Sequence, residues 1–422
     1  MKVLIVSAHD LHGGAGRAAF RLHQALTGIG VDSSMLVQQR LSEDPKVSGH
    51  SGLSGRVVSG VRSRVDRLPL LRYPERSQLW FSPSWLPGSG ILDKINNSDA
   101  DIVHLHWITG GMIRIEDVRR IEKPVVWTLH DMWPMTGGCH YDNGCGRFQE
   151  SCGACPQLGS ESHRDLSSWI FDRKTRSFRG RQVHLVALSR WMADQLASSP
   201  ILADRPVSVL PNPLNCDVFT ERDRLESRMG FGLSPEEKVI LFGAVHPHNP
   251  IKGFDLFRTA LDRLRSLEDV SVVVFGSVDE VDTTELPLPA RFVGAIEDDR
   301  QLSALYSAAD VSVVPSIQDN LPLVATESLA CGTPVVAFDA TGLTDIVDHM
   351  ESGYLARPLD ATDLAAGIGW VLKEAHTNPF RDIARRRAVE KYEASAVARS
   401  YKSLYIQVLA ESDSSAHDPR NP

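Results

Sequence analysis

The sequence has little that would carry it into a membrane, onto nucleic acid or into a disulfide framework. No uninterrupted apolar run approaches the roughly 18–20 residues that a membrane-spanning helix needs. Basic residues are outnumbered, 45 Lys and Arg against 53 Asp and Glu. The net charge of −8 excludes the basic footprint of a nucleic-acid binder. Six cysteines in 422 residues without a leader point to reduced or liganded thiols. The N-terminus, MKVLIVSAHD, lacks a small-residue cleavage site and reads as a first strand, so a cytoplasmic location is expected.

What is present is an ordinary globular composition, 42% hydrophobic and 23% charged, in a chain long enough for two domains. The apolar runs Lys2–Ala8, Ser34–Val37, Asp101–Leu105, Val125–Leu129 and His184–Leu188 alternate with helical stretches such as 14–27. The pattern restarts at Lys238–Ala244 and continues through Val270–Phe275, Arg291–Val293, Val311–Val314 and Pro334–Phe338, with helices predicted at 255–267, 300–308 and 323–330. Continuous apolar strands between helices imply parallel sheets covered on both faces. The reading is an α/β chain of two Rossmann-like parallel-sheet domains, 1–214 and 215–393. A helix at 394–411 and a disordered tail at 412–422 complete it. Ligands of such sheets bind at the carboxyl ends of the strands, here in the cleft between domains.

The segment from Arg56 to Arg76 stands outside this pattern, with Arg62, Arg64, Arg67 and Arg72 interspersed among Val and Leu. It is either a solvated helical insertion or a basic amphipathic surface for an anionic membrane.

Strand one is followed by Gly13-Gly14-Ala15-Gly16, so Gly14-x-Gly16-x-x-Ala19 fits the dinucleotide fingerprint in form. The acidic residue that should close strand two is missing, since Val37 is followed by Gln38, Gln39 and Arg40. A phosphate or sugar contact, a ligand-free glycine turn and a dinucleotide site remain as readings of these glycines.

The stretch VPSIQDNLPLVATESLACGTPVVAFD carries the densest signal. A strand ends at Pro315-Ser316, Asp319 lies in a polar loop, and Pro322 stands where a helix starts. Glu327 lies inside that helix, about 7.5 Å further along its axis. A carboxylate at that depth accepts bonds from vicinal hydroxyls, while the helix N-terminus favours a diphosphate. A capping carboxylate is the plain alternative for Asp319.

This stretch resembles the nucleotide-sugar site of the retaining GT-B glycosyltransferases of family 4, whose Glu-x7-Glu motif here reads Asp319-x7-Glu327. The resemblance implies a ribose-binding Glu327 and a donor-sugar contact from Asp319, one methylene shorter than the usual Glu. Ser316, Asn320, Leu321 and Pro322 flank the donor. Lys252-Gly253 resembles the family's Lys-Gly, with the lysine facing the donor phosphates; the usual Gly-Arg upstream is absent, and His246 or His248 would assist. His130, just past Val125–Leu129, matches the histidine that faces the donor sugar, with His106 a second candidate.

The run Leu129-His130-Asp131-x-Trp133-Pro134-x-Thr136-Gly137-Gly138-Cys139, with the later Cys-x-x-Cys-Pro, is similar to the colanic-acid and exopolysaccharide subgroup. His106, Asp131, Trp133, Gly137 and Gly138 would then line the acceptor side. Cys139, Cys145, Cys152 and Cys155 lie close enough in sequence to hold one structural zinc; buried thiols and disulfides are the alternatives. Catalysis needs no cofactor, and a divalent metal at the diphosphate is not expected.

The implied enzyme moves a sugar from a UDP- or GDP-linked donor to a glycan or lipid-linked oligosaccharide. It would work in the cytoplasm or peripherally at the inner membrane face, with front-face retention. A GT-B nucleotide-sugar epimerase or hydrolase, and a non-catalytic scaffold in polysaccharide assembly, are the competing readings.

Overall fold

A computed structural model describes residues 1–180, 182–244, 249–276, 286–374 and 379–416. The chain forms two compact units, Met1–Pro213 joined by the final helix Ala394–Ala416, and Leu214–Glu393.

In the first unit the strands are β1 (Lys2–His9), β2 (Asp32–Gln39), β3 (Val47–His50), β4 (Ile102–Leu105), β5 (Val125–Leu129), β6 (His184–Ala187) and β7 (Val207–Val209). Every pairing is parallel, in the order β3-β2-β1-β4-β5-β6-β7. The second unit repeats the plan with β8 (Lys238–Ala244), β9 (Val270–Gly276), β10 (Ala290–Gly294), β11 (Val311–Val314), β12 (Val335–Phe338) and β13 (Gly353–Ala356). Its order is β10-β9-β8-β11-β12-β13, again all parallel. These are the two Rossmann-like sheets expected from the alternating runs. In each the strand order reverses, between β1 and β4 and between β8 and β11, which opens a crevice at the strand ends.

The alternation of side chains along β4 and β5 decides what each face can do. Val103, Leu105, Val125, Trp127 and Leu129 enter one apolar core. Ile102 and Val126 point the other way, beneath helices Gly13–Gly28 and Ala394–Ala416. His104 and Thr128 share that second parity and bond to each other at 2.8 Å, while the Tyr405 hydroxyl lies 2.7 Å from the other His104 nitrogen. Ala19, Leu22 and Leu26 of the first helix pack with Val397, Tyr401 and Val408 of the last. Each buried aliphatic side chain contributes about 1.5–3 kcal/mol, so this seam anchors the returning helix.

The final helix runs to Ala416, past the expected end at 411, because no Gly or Pro interrupts Glu411–Ala416. Of the tail expected from 412, residues 417–422 lie outside the described residues.

Candidate active site

Three sequence-derived residues meet at the ends of β4 and β5. His106 follows β4 and is 3% exposed; its Nδ1 lies 2.8 Å from Nε2 of His130, which follows β5. Backbone bonds fix the turn: the His106 N–H donates to the Val6 carbonyl, and the Trp127 indole donates to the His106 carbonyl. Burial pushes the His130 imidazole down to about 4, against the pull of Asp131, and pushes His106 well below its usual range. Both rings are therefore neutral near pH 7.

Asp131 is a loop organiser. Its carboxylate accepts from the Trp107 indole at 3.0 Å and the Trp133 N–H at 2.9 Å, and meets the His140 ring at 2.7 Å. Burial raises its carboxyl, but the His140 contact and the Trp133 amide outweigh that and hold it below the usual range. His140 bonds Ser82 through its other nitrogen, a partnership that no local motif announced.

Trp133, Gly137 and Gly138, expected on the acceptor side, are buried within the loop's own packing. The Trp133 indole donates to the Ser82 carbonyl at 2.8 Å. Gly138 has φ +123°, and a Cβ there would stand 2.4 Å from the Phe81 ring. One at Gly137 would stand 2.5 Å from the Ser167 carbonyl oxygen. Close backbone approach is the reason for both glycines.

Cys139, Cys145, Cys152 and Cys155 line one cavity beside Phe81 and Phe148, and all four are free thiols. Burial pushes the Cys152 thiol up to about 12 and Cys139 well above its usual value. The Gly137 N–H donates to the Cys152 sulfur at 3.1 Å. Among the described residues no group of three or more His, Cys, Asp or Glu side chains stands in position to hold a metal ion. Sequence proximity brings the four sulfurs to a common cavity. Beside them Lys174 is fully buried, with its ammonium 3.8 Å from the Trp133 ring centre and donating to the carbonyls of Trp133 and Thr136. Burial brings it down to about 7.

At the end of β1, Gly14 and Gly16 lie in the first turn of helix Gly13–Gly28, which has no side-chain cap and no acidic residue there. Gly14 has open space around it, whereas a Cβ on Gly16 would meet the His9 carbonyl oxygen at 3.0 Å. The long loop before them is ordered by Asp10, whose carboxylate accepts from the N–H groups of Leu11, Leu41 and Ser42.

In the second unit, Lys252 Nζ is 2.5 Å from Asp319 Oδ2, and the Ser316 hydroxyl donates to the same oxygen at 3.3 Å. Gly253 allows this, because at φ +69° a Cβ would lie 1.9 Å from the Pro315 carbonyl oxygen. Asn320 and Leu321 are buried behind Asp319, and a Cβ on Gly342 would sit 1.4 Å from the Asn320 carbonyl oxygen. Pro322 occupies the N-cap position of helix Leu323–Ala330 without a capping side-chain bond, and the first turn carries no acidic residue. Glu327 is 3% exposed and accepts from the Tyr306 hydroxyl at 2.9 Å. Tyr306 was not foreseen, since only the packing of helix Asp299–Ala308 beside this one brings it there. His246 and His248 lie outside the described residues.

The first unit thus groups His106, His130 and Asp131 at its strand ends. The second groups Ser316, Lys252, Asp319 and Glu327 about one helix N-terminus. Similarity to known proteins covers both units. The glycosyltransferase family 4 profile matches residues 12–218, and the glycosyl transferases group 1 profile matches residues 236–374. A phosphatidyl-myo-inositol mannosyltransferase of Mycobacterium leprae is 24% identical over 342 residues, 79% of each chain. Sucrose-phosphate synthase from Thermosynechococcus elongatus shares the fold with a TM-score of 0.70 at 18% identity, over 97% of this chain and all of its own. HepE of Anabaena, in complex with UDP, gives 0.62 at 16% identity, over 96% of this chain and 100% of its own. With two family profiles across most of its length, on two Rossmann-like sheets, the chain belongs to the glycosyltransferases of the GT-B, family 4 type.

Proposed function

We propose that this glycosyltransferase moves a sugar, with retention of anomeric configuration, from a UDP- or GDP-linked donor to a glycan or lipid-linked oligosaccharide of exopolysaccharide assembly. The observation that carries the reading is the uncapped N-terminus of helix Leu323–Ala330, with Lys252 and Asp319 beside it and Glu327 a turn and a half deeper. An open helix N-terminus and a lysine attract a diphosphate, and a buried carboxylate fixed by a tyrosine accepts bonds from a ribose. Lys252 meets the developing charge on the leaving diphosphate, Glu327 holds the ribose, and Asp319 contacts the donor sugar. His130, neutral at its strand end, bonds a sugar hydroxyl, and the amides at Gly14 and Gly16 offer further donors. That HepE was solved with UDP supports the choice of donor class.

A peripheral membrane contact belongs to the same reading. Along helix Gly52–Asp66 and the turn after it, Leu53, Val57, Val61, Leu68 and Leu71 are exposed, flanked by exposed Arg56, Arg64, Arg67 and Arg72. An apolar stripe among arginines suits an anionic bilayer surface. Arg62 and Arg76 are spent on backbone carbonyls instead. No helix among the described residues is long and apolar enough to cross a membrane. The relative acting on phosphatidyl-myo-inositol is consistent with an acceptor at such a surface.

Calorimetry against UDP- and GDP-sugars tests the donor, and product anomer assignment tests retention. Absence of binding to any donor, unchanged in Glu327→Ala, would favour a scaffold. Donor consumption without a glycan acceptor would favour a hydrolase or epimerase.

A further inference from the structure

We propose that His106 is a positioning residue that fixes the proton of His130 on Nδ1, so that His130 presents a hydrogen-bond donor and never a base. The two rings share one N–H···N contact of 2.8 Å, with ring centres 5.1 Å apart. Two neutral imidazoles place a single proton in such a contact, and whichever ring supplies it determines where the other ring keeps its own.

The two arrangements differ at the far nitrogen of His106. That atom, Nε2, is buried and has no hydrogen-bond partner among the described residues. If His130 donated through Nε2, His106 would carry its proton on its own Nε2, leaving a buried N–H that faces no protein acceptor. If His106 donates through Nδ1, the same atom is only an unfilled lone pair. Orphaned buried N–H groups are rarer and costlier than unfilled acceptors, so the second arrangement holds.

The neighbours leave His106 little freedom. Its ring centre is 4.3 Å from that of His104. The two nitrogens of His104 are already engaged by Tyr405 and Thr128. The backbone on either side of the His106 side chain is tied to Val6 and Trp127.

The consequence is chemical. With Nε2 of His130 filled by the His106 proton, its open nitrogen is an N–H that recognises an oxygen acceptor, such as a sugar hydroxyl or a phosphate oxygen. It has no lone pair left to remove a proton from an incoming hydroxyl. That consequence for transfer rests on the proposed role of His130; the proton's position does not.

The test uses full-length protein with nitrogen-15 histidine. Two-bond NMR correlations should report His130 as the Nδ1–H form near pH 7, and His106 likewise. An Nε2–H form of His130 in the wild type would overturn the proposal, whatever the enzyme transfers. His106→Asn keeps an N–H donor at the Nδ1 position and should hold both the His130 form and the transfer rate within about threefold. His106→Leu removes the donor, mixes the two His130 forms, and should lower kcat by roughly 100-fold, the scale for one misdirected donor in a transition state. His106→Asp offers only acceptors and should switch His130 to Nε2–H; where that variant does not fold, the wild-type spectrum and the Asn–Leu pair decide. Equal rates in Asn and Leu variants with the wild-type His130 form in both would also overturn it. No transfer by any protein, with the expected spectra, would instead overturn the proposed reaction.

Discussion

Lys252 is held by Asp319 at 2.5 Å, so the cation proposed for the diphosphate and the carboxylate proposed for the sugar already neutralise each other. An arriving donor exchanges that contact for its own phosphate oxygens. Lys252→Ala should therefore lower kcat/KM for the donor by about 100-fold. The pair is partly open, with Lys252 33% exposed, so its loss should cost stability no more than about 1 kcal/mol. Donor kinetics beside a thermal melt separate the two effects. Asp319→Glu, which restores the carboxylate length usual in the family, should keep activity, whereas Asp319→Asn should not.

The carboxylate of Glu327 depends on Tyr306 for its orientation. Tyr306→Phe removes a single hydrogen bond, worth about 1 kcal/mol, and should weaken nucleotide binding about fivefold with kcat little changed. Glu327→Gln should weaken it further. Titration calorimetry with UDP and GDP reads both, and an unchanged affinity in Glu327→Gln would remove this carboxylate from the site.

Stability should fall with acid ahead of the carboxylates. Burial lowers His9 and His130 to about 4 and His104 to about 3. Each takes up a proton in the unfolded chain below its ordinary value of 6.5, yet stays neutral in the fold until near its lowered value. Stability is thus greatest above pH 6.5 and declines as pH drops towards 4, by up to about 1.4 kcal/mol per histidine per pH unit. Melting temperatures across that range should show the slope. Replacing His104 by Leu should flatten it even while lowering stability at pH 7.

Much of this was legible in the residue order. The interior strands were visible because they are continuous apolar runs, and His106 and His130 because they stand just past two of them, Asp101–Leu105 and Val125–Leu129. Three edge strands escaped, β3, β7 and β13, because Val-Ser-Gly-His, Val-Ser-Val and Gly-Tyr-Leu-Ala carry too little apolar pattern to stand out. Helix 255–267 proved shorter, Phe254–Asp262, since residues 263–266 continue as tighter hydrogen-bonded turns, with Arg263 donating to Ala260 and Leu264 to Leu261. The site was readable where spacing is local, as from Asp319 to Glu327. It was not readable where partners arrive from other elements: Tyr306 on Glu327, His140 on Asp131, Lys174 beside the thiols. The packing reason for Gly137 and Gly138 is not legible locally, because their neighbours Ser167 and Phe81 are remote in sequence.

Those glycines offer a stability test free of the reaction. Gly138→Ala forces a side chain into φ +123° and against Phe81, and should destabilise the first unit by about 3 kcal/mol or more. Its melting transition should drop, while UDP affinity of the protein that remains folded should stay within twofold.

The arginine-edged stripe predicts a lipid dependence. Arg56→Glu with Arg64→Glu removes two exposed cations, each worth about 1 kcal/mol at an anionic surface. Binding to phosphatidylcholine vesicles containing phosphatidylglycerol should weaken by roughly 30-fold or more in sedimentation, and binding to phosphatidylcholine alone should not change. Equal binding of wild type and variant to both would reduce the stripe to a solvated surface.

The bond from Tyr405 to His104 spans 301 positions of sequence. During synthesis, the face of β1, β4 and β5 that carries Ile5, Val126 and His104 is covered only by helix Gly13–Gly28 until the whole second unit has been made. Tyr401, Tyr405 and Val408 follow the whole second unit in the chain, and the histidine layer closes only once they are in place. A message broken or a chain cut before residue 400 yields an exposed apolar sheet instead of a weakly active enzyme. Exposed apolar surface of that kind makes an incomplete chain prone to aggregate.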